Sequence, residues 1–284
     1  MKLLIKTTNY NETIKLAKNI NNDYPESIIF HCYWNGILTE KHLYSIQSCY
    51  YFNVLNNHHK IILWIENNIP NKFNIEILKY AEIKTFSIKN EMDDTFLENK
   101  KILFIGGSSN GLSEKANFYR MLLLYNYGGC WFDLDCFFLR SFDPLFKNYG
   151  NEICLYQWEN QRYPNNAIMI SLNAKSNKMK NNIEFIINRK RGWGFQRAEL
   201  TYDLELDILV LPCSWFDPGW ITTDTTGAGS FITFFENSNK KYNFNNFFPG
   251  SFCYHWHNKW NKQIHDKSII KQLIDIIQNK LYNK

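Results

Sequence analysis

The chain has 284 residues, 45% of them hydrophobic and 17% aromatic, with 32 basic and 27 acidic side chains for a net charge of +5. A chain of this size buries roughly 75% of its unfolded surface, so a sizeable core is available; the basic residues are scattered, apart from Arg189, Lys190 and Arg191, which argues against a nucleic-acid partner. Seven dispersed cysteines without a C-x-x-C pair read as buried thiols of a reducing compartment, and no stretch approaches the ~20 apolar residues of a membrane span.

The opening MKLLIKTTNYNETIK holds too short an apolar run for a signal peptide, so a soluble, cytoplasmic protein is expected. The abundance of Asn, Lys and Ile suggests an AT-rich coding sequence, as in some large DNA viruses and intracellular microbes. Residues 3–25 suggest a short strand, a helix near Asn11 to Asn21 and a turn at Asp23 to Pro25. SIIFHCYWNG (27–36) is an apolar run closed by a Gly turn, followed by a helix from Thr39 to Asn53 and a strand at 60–67. Strand, helix, strand is the right-handed crossover unit of a parallel sheet. In such a sheet the loops at the strand C-termini form the ligand crevice, and Trp34 and Asn35 are expected there.

A second unit follows, with helices near Asn74 to Tyr80 and Asp93 to Asn99, a short strand near Ile83 to Ser87, and then ILFIGGSSNG (102–111). The glycine run lacks the G-K-[ST] ending and the G-x-G-x-x-G spacing of phosphate loops. It reads as a loop leading to Ser113, the expected N-cap of the next helix with Ala116 at N3.

From Ala116 to Tyr127, Phe118, Met121, Leu122 and Tyr125 form one apolar stripe and Tyr119, Leu123 and Tyr127 another, the pattern of a helix buried on most sides. Gly128 and Gly129 end it. Cys130, Trp131 and Phe132 have the bulk of a buried strand that delivers Asp133 and Asp135 at its far end. Carboxylates at i and i+2 of an extended chain share a side. Held close, they repel unless a cation lies between them or one is protonated, and Asp oxygens are hard ligands suited to Mg²⁺ or Mn²⁺. Arg120 is the single charge between Ala116 and Phe132, with Asn117 one turn before it on the same face.

The stretch A-N-F-Y-R-M-L-L-L-Y-N-Y-G-G-C-W-F-D-L-D resembles the DXD-containing glycosyltransferases of the GT-A type, which include initiating mannosyltransferases, alpha-1,4-galactosyltransferases and clostridial toxin glucosyltransferase domains. Their pattern runs S-D-x-x-R-x-x-x-L-x-x-x-G-G-x-Y-x-D-x-D, and the spacing from Arg120 through Gly128, Gly129, Asp133 and Asp135 is kept. Asn117 stands where the family usually has Asp. The resemblance implies an α/β GT-A (Rossmann-like) fold with a mostly parallel central sheet flanked by helices, and a short C-terminal segment that closes the metal site. It also implies that Trp34 contacts the nucleotide base, that Asn117 and Arg120 orient the donor sugar, and that Asn166 faces the sugar crevice; as turn residues, Asn165 and Asn166 have an equal structural reading.

After the DXD, FFLRSFDPLF (137–146) is similar to a hydrophobic strand and turn of the family, followed by strands at 152–160 and 166–173 and a basic helix over 174–190. The aromatic segment 192–203 is expected to cover the acceptor. DILVLPCSWFDP (207–218) reads as a strand, and 222–237 resembles the T-G-P-x-x-x-T box with Ala228 in place of Pro. There Thr226, Gly227 and Ser230 are candidates to sit near the phosphates or acceptor at a helix N-terminus, with Asp224 a candidate carboxylate. In SFCYHWHNKWN (251–261) the resemblance makes His255 the third metal ligand, with Asn258 behind it; His257, two residues on, is the rival, and spacing does not choose between them. Residues 266–282 form an amphipathic helix that docks on the domain.

The sequence therefore points to one GT-A-like domain over 1–284: an N-terminal extension (1–27), a nucleotide-sugar half (28–140), an acceptor-side half (141–261) and a C-terminal helix (262–284). The implied activity is a metal-dependent, retaining transfer from a nucleotide sugar, a UDP-sugar with Mn²⁺ (or Mg²⁺) as cofactor, to a glycan, protein or small hydroxyl acceptor. Asp135 would bind the metal directly, and Asp133 would hold its water and the ribose. Two rival readings are a catalytically silent nucleotide-sugar- or glycan-binding module, and a haloacid-dehalogenase-type phosphohydrolase, which also places D-x-D after a hydrophobic strand.

Overall fold

The computed structural model describes residues 2–3, 15, 24, 26–102, 104, 108–157, 164–188, 207–220 and 231–282. The strands, in chain order, are β1 (Lys2–Leu3), β2 (Ile29–Ile37), β3 (Lys60–Ile69), β4 (Glu82–Thr85), β5 (Gly129–Phe132), β6 (Cys136–Phe138), β7 (Cys154–Gln157), β8 (Asn165–Ser171), β9 (Leu209–Pro212) and β10 (Cys253–His255). Eight of them form one sheet in the order β1-β9-β7-β8-β5-β2-β3-β4. Only β8 runs against its neighbours, so the mostly parallel sheet expected from the sequence is present. β6 and β10 pair antiparallel as a separate ribbon, with Cys136 opposite His255.

The helices are α1 (Glu40–Cys49), α2 (Lys72–Ile77), α3 (Ile88–Met92), α4 (Ser108–Tyr127), α5 (Asp143–Tyr149), α6 (Asn177–Asn188) and α7 (Ile269–Tyr282). They lie in two layers because the strand side chains alternate between two apolar cores. On β5, Cys130 and Phe132 enter the core shared with α1 and α7, while Trp131 enters the one shared with α4 and α6. α4 buries Phe118, Tyr119, Met121, Leu122, Leu123 and Leu124, and α7 buries Ile269, Ile270, Leu273, Ile274 and Ile277. Each such side chain contributes on the order of 1.5–3 kcal/mol of apolar transfer. All seven cysteines are free and buried, and among the described residues no helix is long and apolar enough to cross a membrane.

The glycine pair after α4 is required by space. Gly128 has φ +66 and Gly129 φ +111. A Cβ on Gly129 would collide with the Ile29 carbonyl oxygen, and one on Gly128 with that of Leu172. Two bare backbones therefore let β5 leave the helix and slot at once between β2 and β8.

Several local expectations are corrected. α4 starts at Ser108, so Ser113 lies inside the helix and is not its N-cap. Residues 93–99 are turns, with Asp94 and Asn99 at φ 58 and 60, while the helix lies earlier at α3, where Ser87 Oγ accepts the Asn90 N–H at 3.4 Å. The helix after Thr39 becomes π-helical from Tyr50 to Val54. The strand expected at 207–218 stops at Pro212 and gives way to short 3₁₀ turns. The expected helix at 11–21, the segment 192–203, and Asp224, Thr226, Gly227, Ala228 and Ser230 lie outside the described residues, apart from Lys15, which is helical.

Candidate active site

The two aspartates do not sit on an extended strand. β5 ends at Phe132, and the chain turns at Leu134 and Asp135, with the Cys136 N–H donating to the Asp133 carbonyl at 3.0 Å. The expected shared side of a strand is replaced by a tight turn that joins β5 to the β6–β10 ribbon. Asp133 is still tied to the sheet, since its N–H donates to the Ala167 carbonyl at 2.8 Å.

Each carboxylate has its own setting. Asp133 Oδ1 accepts from Trp131 Nε1 at 2.7 Å and lies 3.3 Å from the Arg120 guanidinium. A third of the Asp133 side chain reaches solvent, whereas Arg120 is almost wholly buried. Arg120 Nε donates to the Ala116 carbonyl, a terminal nitrogen donates to the Asn166 carbonyl, and the guanidinium lies 5.2 Å from the centre of the Trp131 ring. Burial lowers the Arg120 pKa and raises that of Asp133, with each partner's charge pulling the other way. The guanidinium so held fixes the carboxylate. Asn117 lies beside it, its Oδ1 accepting from Asn166 Nδ2 at 3.1 Å, and Asn165 Oδ1 accepts from the Ala167 N–H at 2.7 Å. α4 and the start of β8 thus meet at Asn117 and Asn166.

Asp135 points into the ribbon. Its Oδ2 lies 3.2 Å from His255 Nε2 and accepts the Asn258 N–H at 2.7 Å, and its carbonyl accepts the Trp256 N–H at 2.9 Å. Burial acts to raise this carboxyl, but His255 and the two hydrogen bonds to Oδ2 outweigh it and hold the pKa below the ordinary value. The chain reaches this position through two consecutive left-handed residues, His257 and Asn258, at φ 52 and 56.

The two histidines make different contacts. His255 faces Asp135. His257 instead contacts Asp217 Oδ2 through Nε2 at 2.7 Å, and its ring stacks on His255 with centres 3.9 Å apart. Behind His255, Nδ1 meets the Tyr156 hydroxyl at 2.9 Å and Asp217 Oδ2 at 3.8 Å. Tyr156 and Asp217 were not legible in the sequence: Tyr156 sits in an apolar strand and Asp217 in a turn, and only the pairing of β6 with β10 shows what they adjoin.

Trp34 lies within β2, which runs on to Ile37 through a register shift between Trp34 and Gly36, and not in a loop beyond the strand. Its indole Nε1 donates to the Ile37 carbonyl at 3.1 Å, and its ring lies 4.1 Å from His42 and 5.0 Å from Trp260. His42 stacks face to face on Trp260 at 4.4 Å and accepts the Thr39 N–H at Nδ1. Lys41 Nζ donates to the Lys259 carbonyl. These contacts join the start of α1 to the loop after β10, forming an aromatic wall near Asp135.

The donor set fits a divalent cation. Two ligands of an octahedral ion, each ~2.1 Å from it, lie about 3 Å apart, close to the Asp135–His255 separation of 3.2 Å. Asp135 and His255 also fall in a group with Cys136 whose ligand atoms lie within 4.8 Å of one another. Burial pushes the Cys136 thiol well above its usual pKa, which disfavours the thiolate and leaves carboxylate and imidazole as the donors.

Residues 39–152 match the family model for the glycosyltransferase sugar-binding region containing the DXD motif. This match bears out the resemblance to DXD-containing glycosyltransferases. The fold is that of GT-A glycosyltransferases, as in the glycosyltransferase GlyE of Streptococcus pneumoniae TIGR4 (13% identity, 90% of this chain and 63% of that one, TM-score 0.53). The bifunctional glycosyltransferase WbbM is also similar (9% identity, 91% of this chain and 51% of that one, TM-score 0.55). The chain thus spans 63% and 51% of these two relatives. No curated protein matches the sequence.

Proposed function

We propose that this protein is a metal-dependent glycosyltransferase that moves a sugar from a nucleotide sugar, a UDP-sugar, to a hydroxyl-bearing acceptor with retention of configuration. The observation that carries it is the meeting of Asp135 and His255 at 3.2 Å, next to an Asp133 fixed by Arg120. Asp135 and His255 would hold Mn²⁺ or Mg²⁺, and Asp133 would hold a water of its shell and the ribose. The bound cation would supply charge stabilisation at the departing diphosphate, the group on which negative charge grows as the sugar–phosphate bond breaks.

This chain's own residues do the positioning. Arg120 and Trp131 fix one oxygen of Asp133, which holds the partly exposed carboxylate in one orientation. Asn117 and Asn166, bonded to each other at the start of the sugar side, would orient the sugar hydroxyls. The aromatic wall of Trp34 would face the base, and Asn258 would keep Asp135 in place through its N–H. In the transfer, the anomeric carbon loses its bond to the diphosphate oxygen and gains one to the acceptor oxygen, whose proton is released. Water would take the acceptor's place when no acceptor is present, giving slow donor hydrolysis.

The fold and family match favour this reading over a phosphohydrolase. A catalytically silent module remains the second reading, motivated by Asn117 in place of the family's Asp. Both are tested by measuring nucleotide diphosphate release from UDP-glucose, UDP-galactose, UDP-N-acetylglucosamine and GDP-mannose, with and without Mn²⁺. One UDP donor turned over only with metal is the expected result; binding of a donor without any turnover would instead identify the silent module.

A further inference from the structure

We propose that Tyr156 and Asp217 are positioning residues that select the tautomer of His255 able to accept a cation beside Asp135. The inference rests on the assignment of Asp135 and His255 as the metal-holding pair. His255 is reached from two sides, with Nε2 toward Asp135 and Nδ1 toward Tyr156 and Asp217. A neutral imidazole carries one proton, and the nitrogen without it is the ligand. For Nε2 to bind a cation, the proton must stay on Nδ1, where the Tyr156 oxygen at 2.9 Å is placed to accept it and the Asp217 carboxylate at 3.8 Å favours it by charge.

A proton between Nε2 and Asp135 occupies the cation's place and must leave as the cation binds, while Tyr156 and Asp217 keep the other proton on Nδ1. Tyr156 and Asp217 are both buried, on β7 and in the turn after β9. The network therefore reaches His255 from sheet elements that its own ribbon does not include. His257 completes it: its contact with Asp217 and its stacking on His255 hold the ring at one tilt. Asp217, His255 and His257 also bring ligand atoms within 4.8 Å of one another, but Asp217 Oδ2 already engages His257 Nε2 at 2.7 Å, and the role of His257 is to brace His255.

Mn²⁺ binding to the full chain, followed by the electron paramagnetic resonance of free Mn²⁺, tests this. Tyr156→Phe and Asp217→Asn should each weaken Mn²⁺ by about tenfold, in the range for residues that orient metal ligands, with circular dichroism unchanged. In a His255→Ala background, itself weakened further, Tyr156→Phe should have no additional effect, whereas a merely structural tyrosine would still act. Wild-type affinity in both Tyr156→Phe and Asp217→Asn, with His255→Ala impaired, overturns the positioning role alone. Wild-type affinity in His255→Ala removes the metal assignment on which it rests.

Discussion

Arg120 and Asp133 meet at 3.3 Å, a buried cation against a carboxylate that is one third exposed. Breaking such a contact from the acidic side leaves the guanidinium buried with its nearest counter-charge gone. Asp133→Ala is therefore expected to lower stability by about 3 kcal/mol as well as to abolish donor turnover. Equilibrium denaturation in urea would show it; a variant as stable as the wild type would mean that Arg120 is neutralised elsewhere.

Asp135→Ala removes the carboxylate that His255 and the Asn258 N–H share. Loss of donor turnover by at least about 100-fold is expected, the scale of removing one group that stabilises transition-state charge. EDTA should abolish turnover in the wild type and Mn²⁺ restore it. Wild-type rates in Asp135→Ala, read as nucleotide diphosphate released, would show that the metal lies elsewhere.

Gly129→Ala places a methyl group on the Ile29 carbonyl oxygen at a φ of +111. Left-handed strain and overpacking together should cost at least about 2 kcal/mol. Because β5 lies between β2 and β8, the expected outcome is a sharp drop in the yield of folded protein, whereas substitution of Gly36, at a φ of +123 but with no atom closer than 3.9 Å to a Cβ, carries the backbone strain without the collision and should be milder. Melting temperatures of the two variants compared side by side decide the matter.

The metal-free protein should show opposed pH limbs. Around His255 stand Asp135, Asp217 and Asp133, with Tyr156 and His257 against the ring. Burial acts to lower its pKa, but the three carboxylates raise it to about 9. A group raised in the folded state stabilises fully below its unfolded pKa, here about 6.5, and loses that contribution as the pH rises through about 9. The amount is on the order of 3 kcal/mol. His31 works in the other direction: burial lowers it to about 4, so stability falls as the pH drops from about 6.5 toward 4. Denaturation of EDTA-treated protein should give a maximum near neutrality, and His255→Gln should flatten the alkaline limb. An alkaline limb unchanged by that substitution would refute this account.

What the sequence revealed was mostly local. Arg120, the two glycines and the aspartates lie on adjoining elements, so period and spacing place them before any fold is known. The parallel unit of β2, α1 and β3 was legible for the same reason. The turn at Leu134 and Asp135 was not, because the apolar residues on either side continue the look of a strand. The neighbourhood of Asp217 and Tyr156 and the different contacts of His255 and His257 depend on how β7, β9 and β10 come together. No spacing in the chain encodes that.

Asp135 is held by main-chain groups, the N–H of Asn258 on its carboxylate and that of Trp256 on its carbonyl. Swapping side chains at those two positions would leave both bonds in place, and a conventional alanine survey would pass over them. Shortening or lengthening the chain by a single residue there would move both donors while every acid and imidazole stayed on the list. The grip on this aspartate is written in the path of the backbone, and the length of that segment is as much a part of the site as any of its letters.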